Sequence, residues 1–237
     1  MKNEYSVSVI ARIYNGFHEK FGIPRQSGLV PAVRSTIVFE EPYRVREALR
    51  GLEGYSHIWL LWQFSDCADA PWHPTVRPPR LGGNRRVGVF ATRSPFRPNA
   101  IGLSSVVLNS IEERKDVGPV LHVSGADLMD GTPIFDIKPY IAYTDSHPNA
   151  VSGFAQAFAD YALQVHCPPE LLKVVSPDLQ QTLLDLLAQD PRPSYQHDAN
   201  RIYTMDFDQY TICFKVIENI LLVTDIHCGQ RDRGENL

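Results

Sequence analysis

What most limits the fold of this chain is how its apolar residues are divided. Up to about residue 150 they come in short runs closed by Gly or Pro, and almost none suits a long helix. Residues 5–14 (YSVSVIARIY) alternate. Val7, Val9, Ala11 and Ile13 fall on one side, Ser6, Ser8 and Arg12 on the other, which is the period of a half-buried strand. Residues 36–39 make a short strand, and residues 56–64 (SHIWLLWQF) read as a central one, aromatic and almost unbroken. Residues 87–92, 101–109, 120–124 and 134–143 add further strands. Residues 15–34, with Gly16, Gly22, Pro24, Gly28 and Pro31, form a long polar loop, a length often tied to function. A short helix is expected over 43–52, led by Pro42 and ended by Gly51 or Gly54. Such a set of short strands with Gly/Pro turns predicts a mainly β fold, a small closed β-barrel. No G-x-G-x-x-G follows a strand, so a Rossmann-type nucleotide domain is not indicated.

Beyond residue 150 the pattern changes. Residues 154–162 read as helical, and residues 179–188 carry Leu179, Leu183, Leu184 and Leu187 at helical spacing. Pro191 and Pro193 stop that helix. Residues 202–207, 210–216 and 220–224 form a small antiparallel meander. The reading is therefore a barrel domain over 1–154 and a small α+β domain over 155–237. A chain of 237 residues is long enough for this. No apolar run approaches ~18 residues, so no membrane span is expected. The N-terminus lacks the pattern of a secretory signal, so the expected location is cytoplasmic. Cys67, Cys167, Cys213 and Cys228 are scattered with no C-x-x-C and read as free thiols; no metal site is expected.

The net charge of −4 hides an asymmetry. Residues 1–150 hold 17 Lys+Arg against 15 Asp+Glu, and residues 151–237 hold 6 against 12. From Arg77 to Arg97 there are six arginines and no acid. Within "PTVRPPRLGGNRRVGVF", Arg77, Arg80, Arg85 and Arg86 sit among Pro and Gly, which restrict the loop and lower the entropy lost on binding. Arginine forks suit phosphates and stack on bases. The same pattern also fits a solvated loop paired with the acidic second half. Next comes "FATRSPFRPNAIGLS", Phe90 to Ser104, where Arg93 and Arg97 flank Pro95 between two strands. Strand ends in barrels commonly form ligand mouths, and this stretch reads as one. Finally, "GADLMDGTPIFDIKPYIAYTDS" brings Asp127, Asp130, Asp136 and Lys138 together. Asp130, Asp136 and Lys138 fit an Asp…Asp-x-Lys metal-dependent nuclease, or a turn aspartate with a surface ion pair.

Taken together, "PTVRPPRLGGNRRVGVFATRSPFRPNAIGLS", "DLMDGTPIFDIKPY", "LLAQDPRPSY", "PRQSGLV" and "LEGYSHIWLL" resemble the TrmO (YaeB-type) tRNA methyltransferases, over most of the chain. The resemblance implies a homodimeric, S-adenosylmethionine-dependent enzyme that methylates N6 of threonylcarbamoyladenosine at position 37 of threonine-type tRNAs. It implies a cofactor pocket drawn from Pro24, Arg25, Gln26, Arg93, Leu103, Asp127, Leu128, Met129 and Asp130. Ser65 and Asp66 join this set, although the family carries His-Gln there. The chemistry of N6 methylation then suggests Asp130 or Asp136 as proton acceptor. It also suggests Arg97, or an arginine of the 77–86 loop, for the threonyl carboxylate. Arg77, Arg80, Arg85 and Arg86 are the expected tRNA contacts. The alternatives are the nuclease and a non-catalytic RNA-binding module built on the arginine loop.

Overall fold

The computed structural model describes residues 4–67, 70–82, 85–192, 196 and 198–229. Eight strands run through the first part: β1 (Ala11–Tyr14), β2 (Arg34–Phe39), β3 (His57–Gln63), β4 (Thr75–Val76), β5 (Val87–Gly88), β6 (Ile101–Arg114), β7 (Gly118–Ser124) and β8 (Pro133–Pro139). Six of them close a barrel in the order β1-β2-β7-β6-β3-β8, with β8 returning to β1. Every neighbouring pair is antiparallel. The period-two pattern explains what the barrel encloses. Along β3, Ile58, Leu60 and Trp62 point inward, while Trp59 and Leu61 face out. Ile13, Ile37, Val106, Leu121, Val123 and Ile134 complete the interior.

The expected helix over 43–52 is replaced by three separate single turns, Glu41–Tyr43, Arg46–Leu49 and Leu52–Gly54. Gly51, at φ +87°, turns the chain between the last two. The strand expected over 87–92 shrinks to β5, which pairs only with β4. Val89–Ala91 is a turn with Val89 buried and Phe90 76% exposed, so only one residue of that run is drawn inward. At the start of the chain, barrel pairing reaches back to Ile10, bonded to Ile134 and Glu40, and residues 5–9 carry no strand. β8 stops at Pro139 and is followed by a helical turn, α1 (Ala142–Asp145).

The C-terminal part contains β9 (Gln164–His166), α2 (Pro169–Leu172), α3 (Pro177–Ala188), β10 (Tyr203–Phe207), β11 (Tyr210–Ile217) and β12 (Ile220–Cys228). The expected meander is present as β10-β11-β12. The sequence pattern did not reveal β9, a three-residue strand that adds in parallel at the edge. The helix expected over 154–162 is a shorter 3₁₀ segment, Gly153–Phe158. α3 ends before Asp190, whose φ of +54° turns the chain away. Pro193, the second of the two stop prolines, lies outside the described residues. No helix among the described residues is long and apolar enough to cross a membrane.

The second core is not built from the C-terminal part alone. Phe17, Val30 and Val33 are buried in it beside Leu183, Leu186, Leu187, Phe214 and Leu221, and Phe21 and Ile23 pack against it. All five come from the long loop between β1 and β2. Gly16 and Gly22 mark the closest approaches. The Gly16 carbonyl accepts from the Asp208 backbone at 2.8 Å, and a Cβ on Gly22 would meet the Met205 sulfur at 2.6 Å. The loop that the sequence leaves unanchored is thus held against the C-terminal sheet.

Candidate active site

A cavity of about 830 Å³ opens where that loop meets one end of the barrel. Its volume is in the range of small-molecule and cofactor sites. Three segments line it. The first is the loop, through Lys20 and residues 23–26. The second is the end of β3 with the turn behind it, Trp62 to Cys67. The third is the stretch before and at the start of β6, from Thr92 to Leu103, and Asp127, Met129 and Thr132 close the floor. Apolar surface comes from Trp62, Phe64, Phe96 and Leu103, and charge from Arg25, Arg93, Arg97, Lys20, Asp66 and Asp127.

The loop wall is fixed from the C-terminal side. Arg25 donates through Nη2 to the carbonyls of Asp190 (3.2 Å) and Arg192 (3.0 Å). Asp190 and Arg192 form a two-bond ion pair at 2.8 and 3.1 Å, both about 8% exposed. The Tyr161 hydroxyl donates to the same carboxylate at 2.7 Å. A buried pair needs such added hydrogen bonds to offset its desolvation. Burial, and then the neighbouring Arg80, pushes the Arg25 guanidinium below its ordinary value. Arg80 lies over the rings of Phe158 and Tyr161, at 5.5 and 5.6 Å. Gln26, next to Arg25, accepts from Arg93 across the cavity.

The barrel wall is fixed by strand parity. Gly102, Ser104 and Val106 are the inward residues of β6. A Cβ on Gly102 would sit 2.3 Å from the Trp62 ring, so only glycine lets the indole lie against this strand. Trp62 donates through Nε1 to Ser104 Oγ at 2.9 Å, and Ser104 donates to Asp127 Oδ1 at 2.5 Å. Burial raises the Asp127 carboxyl above its usual range, and the Ser104 hydrogen bond opposes that rise.

The remaining sequence candidates divide. Pro24, Arg25, Gln26, Ser65, Asp66, Arg93, Leu103, Asp127 and Met129 all border the cavity. Leu128 is 1% exposed and belongs to the barrel core. Asp130 turns to the start of the loop, where Oδ1 accepts the Asn15 backbone N–H at 2.8 Å. Asp136 stands on the outside of β8 and pairs with Lys138 at 2.8 Å. Arg97 lines the cavity, yet its Nη1 donates to the carbonyls of Thr92 (3.2 Å) and Ser94 (3.4 Å) and ties its own loop. In the basic loop Arg80 is held by the C-terminal part and Arg86 bonds Thr75 at 2.9 Å; Arg77, Arg85 and Arg86 are exposed. Asp130 turns to Asn15 while Asp136 pairs with Lys138 on the outside of β8, so the nuclease constellation is not assembled. Sequence reading missed Lys20, Trp62 and Ser104. For Ser104 the usable signal was a hydroxyl on the apolar parity of a strand.

Two family models match the chain. One, described as the tRNA-methyltransferase O N-terminal domain, spans residues 12–146, and one for the TrmO C-terminal domain spans 161–228. The chain is 38% identical over 224 residues to the tRNA (adenine(37)-N6)-methyltransferase of Escherichia coli K12, covering 91% of this chain and 95% of that protein. It is 45% identical over 201 residues to a Pseudomonas aeruginosa protein whose name describes an S-adenosylmethionine-dependent methyltransferase, RcsF, covering 81% and 84%. A crystal structure of TrmO from P. aeruginosa superposes with a TM-score of 0.75 at 35% identity, covering 97% of this chain and 99% of that one.

Proposed function

The chain belongs to the TrmO family, and on that premise we propose that it methylates N6 of adenine 37 in tRNA, using S-adenosylmethionine as methyl donor. The observation that carries this reading is the cavity itself, where three segments far apart in sequence converge on one pocket with opposed charges. S-adenosylmethionine presents an amino-acid zwitterion, ribose hydroxyls and a flat adenine. The pocket answers with an arginine, a half-buried carboxylate and apolar side chains, so the residues present fit the group. Arg93 and Asp127 would hold its charged and hydroxyl groups, Leu103 and the backbone of Pro24 to Gln26 its flat part. When bound, it supplies an electrophilic methyl on a sulfonium.

Methyl transfer of this kind is an in-line displacement, so positioning supplies much of the rate. The self-bonded turn around Arg97 gives the rim a fixed shape. The finer substrate in this proposal is threonylcarbamoyladenosine. Its carbamoyl group acidifies the N6 proton and lowers the demand on a protein base. That matters because neither Asp130 nor Asp136 borders the cavity. Asp130, one residue beyond cavity-lining Met129, is the better placed of the two. Arg77, Arg85 and Arg86 are exposed and would meet the phosphates of the anticodon loop, where single-stranded recognition is expected.

The proposal includes a homodimer. Phe96, Ile101 and Leu103 are 41%, 42% and 53% exposed at the cavity, apolar surface that a second copy would cover. The location in this proposal is the cytoplasm. The deciding experiment is mass spectrometry of position 37 in tRNA from cells with and without the protein, with methyl transfer reconstituted on the purified, premodified tRNA. A position 37 unchanged by loss of the protein would refute the proposal.

A further inference from the structure

Ser104 is a polar residue in a mostly apolar barrel. It is 1% exposed, on the inward parity of β6, beside a core of Ala, Ile, Leu, Val, Phe and Trp, in a barrel that also buries the hydroxyls of Ser35 and Thr132. A buried hydroxyl needs partners, and this one has two. It accepts from Trp62 Nε1 and donates to Asp127 Oδ1. The direction of the chain is determined by its ends, because an indole N–H can only donate and an ionised carboxylate can only accept. The Ser104 proton is therefore committed to Asp127. Gly102, two residues earlier, makes room for the indole. The outcome is a line from the barrel interior to the half-buried Asp127 carboxylate on the cavity wall.

We infer that Ser104, with Trp62 behind it, is a positioning residue that holds Asp127 in one rotamer and in its ionised form, as an acceptor for a hydroxyl or ammonium group of the methyl donor. This rests on the proposed donor site. The charged groups around Asp127 are Arg93, which faces it from the segment before β6, and Arg25, Arg97, Lys20 and Asp66 elsewhere on the wall. Ser27 contributes a backbone N–H from the loop. Of these partners Ser104 is the one whose hydrogen bond most favours the charged form, against the desolvation that opposes it.

The test is titration calorimetry with S-adenosylhomocysteine across pH, joined to steady-state kinetics with saturating tRNA. In wild type, donor-site binding weakens on acidification as Asp127 takes a proton. In Ser104→Ala the lost charge-assisted bond raises Kd roughly tenfold at neutral pH. It also moves the acid limb of binding toward neutral pH, because the carboxylate has lost a group that stabilised its charge. KM for the donor rises while kcat at saturating donor is largely kept. Ser104→Thr restores the hydroxyl and returns the limb toward wild type. Trp62→Phe keeps a ring, removes the donor and moves the limb less, in the same direction. A merely structural serine would lower the melting temperature without moving the limb. Unchanged Kd and limb in folded Ser104→Ala overturn the inference. If that variant does not fold, Trp62→Phe with a wild-type limb does the same. Wild-type protein that binds no S-adenosylhomocysteine would instead bring down the donor site itself.

Discussion

The two walls of the cavity have different origins. The barrel wall is made by the end of β3, the start of β6 and the residues that follow β7, and its Trp62, Gly102 and Leu103 are placed by strand register. The loop wall, Lys20 to Gln26, has no regular structure of its own and is held by the C-terminal core and the Asp190–Arg192 pair. One wall follows from local pattern. The other exists only when two distant parts of the chain meet. The C-terminal part thus has a defined task at the site, because it holds the loop in place.

The largest expected effect comes from breaking that hold. Asp190→Ala leaves the Arg192 guanidinium buried without its partner, a change that costs about 3–5 kcal/mol. It also loosens the two carbonyls that receive Arg25. Urea unfolding should show the loss, and donor affinity should fall with it. Lost stability with unaltered donor affinity would break the comparison, since the loop wall would then stand without the C-terminal part.

Gly102→Ala attacks the other wall. Its new Cβ would collide with the Trp62 indole, and overpacking of this kind costs about 1–3 kcal/mol. The displaced indole takes its N–H from Ser104, so donor affinity falls while the Asp190–Arg192 pair is untouched. Melting and calorimetry on both variants would show whether the walls fail separately.

The same contrast explains what was legible in the sequence. The barrel was readable because strands such as Ala11–Tyr14 and His57–Gln63 carry their signal, alternation in the first and an unbroken apolar run in the second, in adjacent residues. The helix over 43–52 was misread because a polar run with one left-handed glycine does not decide between a helix and separate turns. Most residues of the pocket came from motifs, yet Asp130 and Asp136 were grouped with Asp127 by proximity along the chain. Space separates them. Asp127 follows β7 into the cavity, Asp130 turns back to Asn15, and a register shift between β3 and β8 puts Asp136 opposite the outward Leu61, on the outside of the barrel. The hold on Arg25 spans 165 residues and leaves no local signal.

A smaller effect, of opposite sign, separates function from stability at the barrel wall. Burial holds the folded-state pKa of Asp127 above its unfolded value. The folded chain therefore binds that proton more tightly than the unfolded chain. The resulting destabilisation is full above the folded-state pKa and gone below the ordinary aspartate value of about 3.9. Asp127→Asn should melt higher than wild type at neutral pH, with the gap closing on acidification, while donor affinity drops. A variant that melts lower at neutral pH would show that Asp127 is stabilised, not strained, by its place.

The smallest effect is expected outside both walls. Asp136 shares its carboxylate between Lys138 and the Ile137 backbone N–H, with its side chain 44% exposed and that of Lys138 62%. Exposed pairs of this kind contribute roughly 0–1 kcal/mol. Asp136→Ala should therefore change the unfolding free energy by less than about 1 kcal/mol. Single-turnover methyl transfer at saturating donor and tRNA should stay within about threefold of wild type. A general base removed from the reaction would instead cost about 10²–10⁴-fold. The two outcomes are far enough apart for one measurement to separate them. A loss of that size would place the outer face of β8 in the reaction.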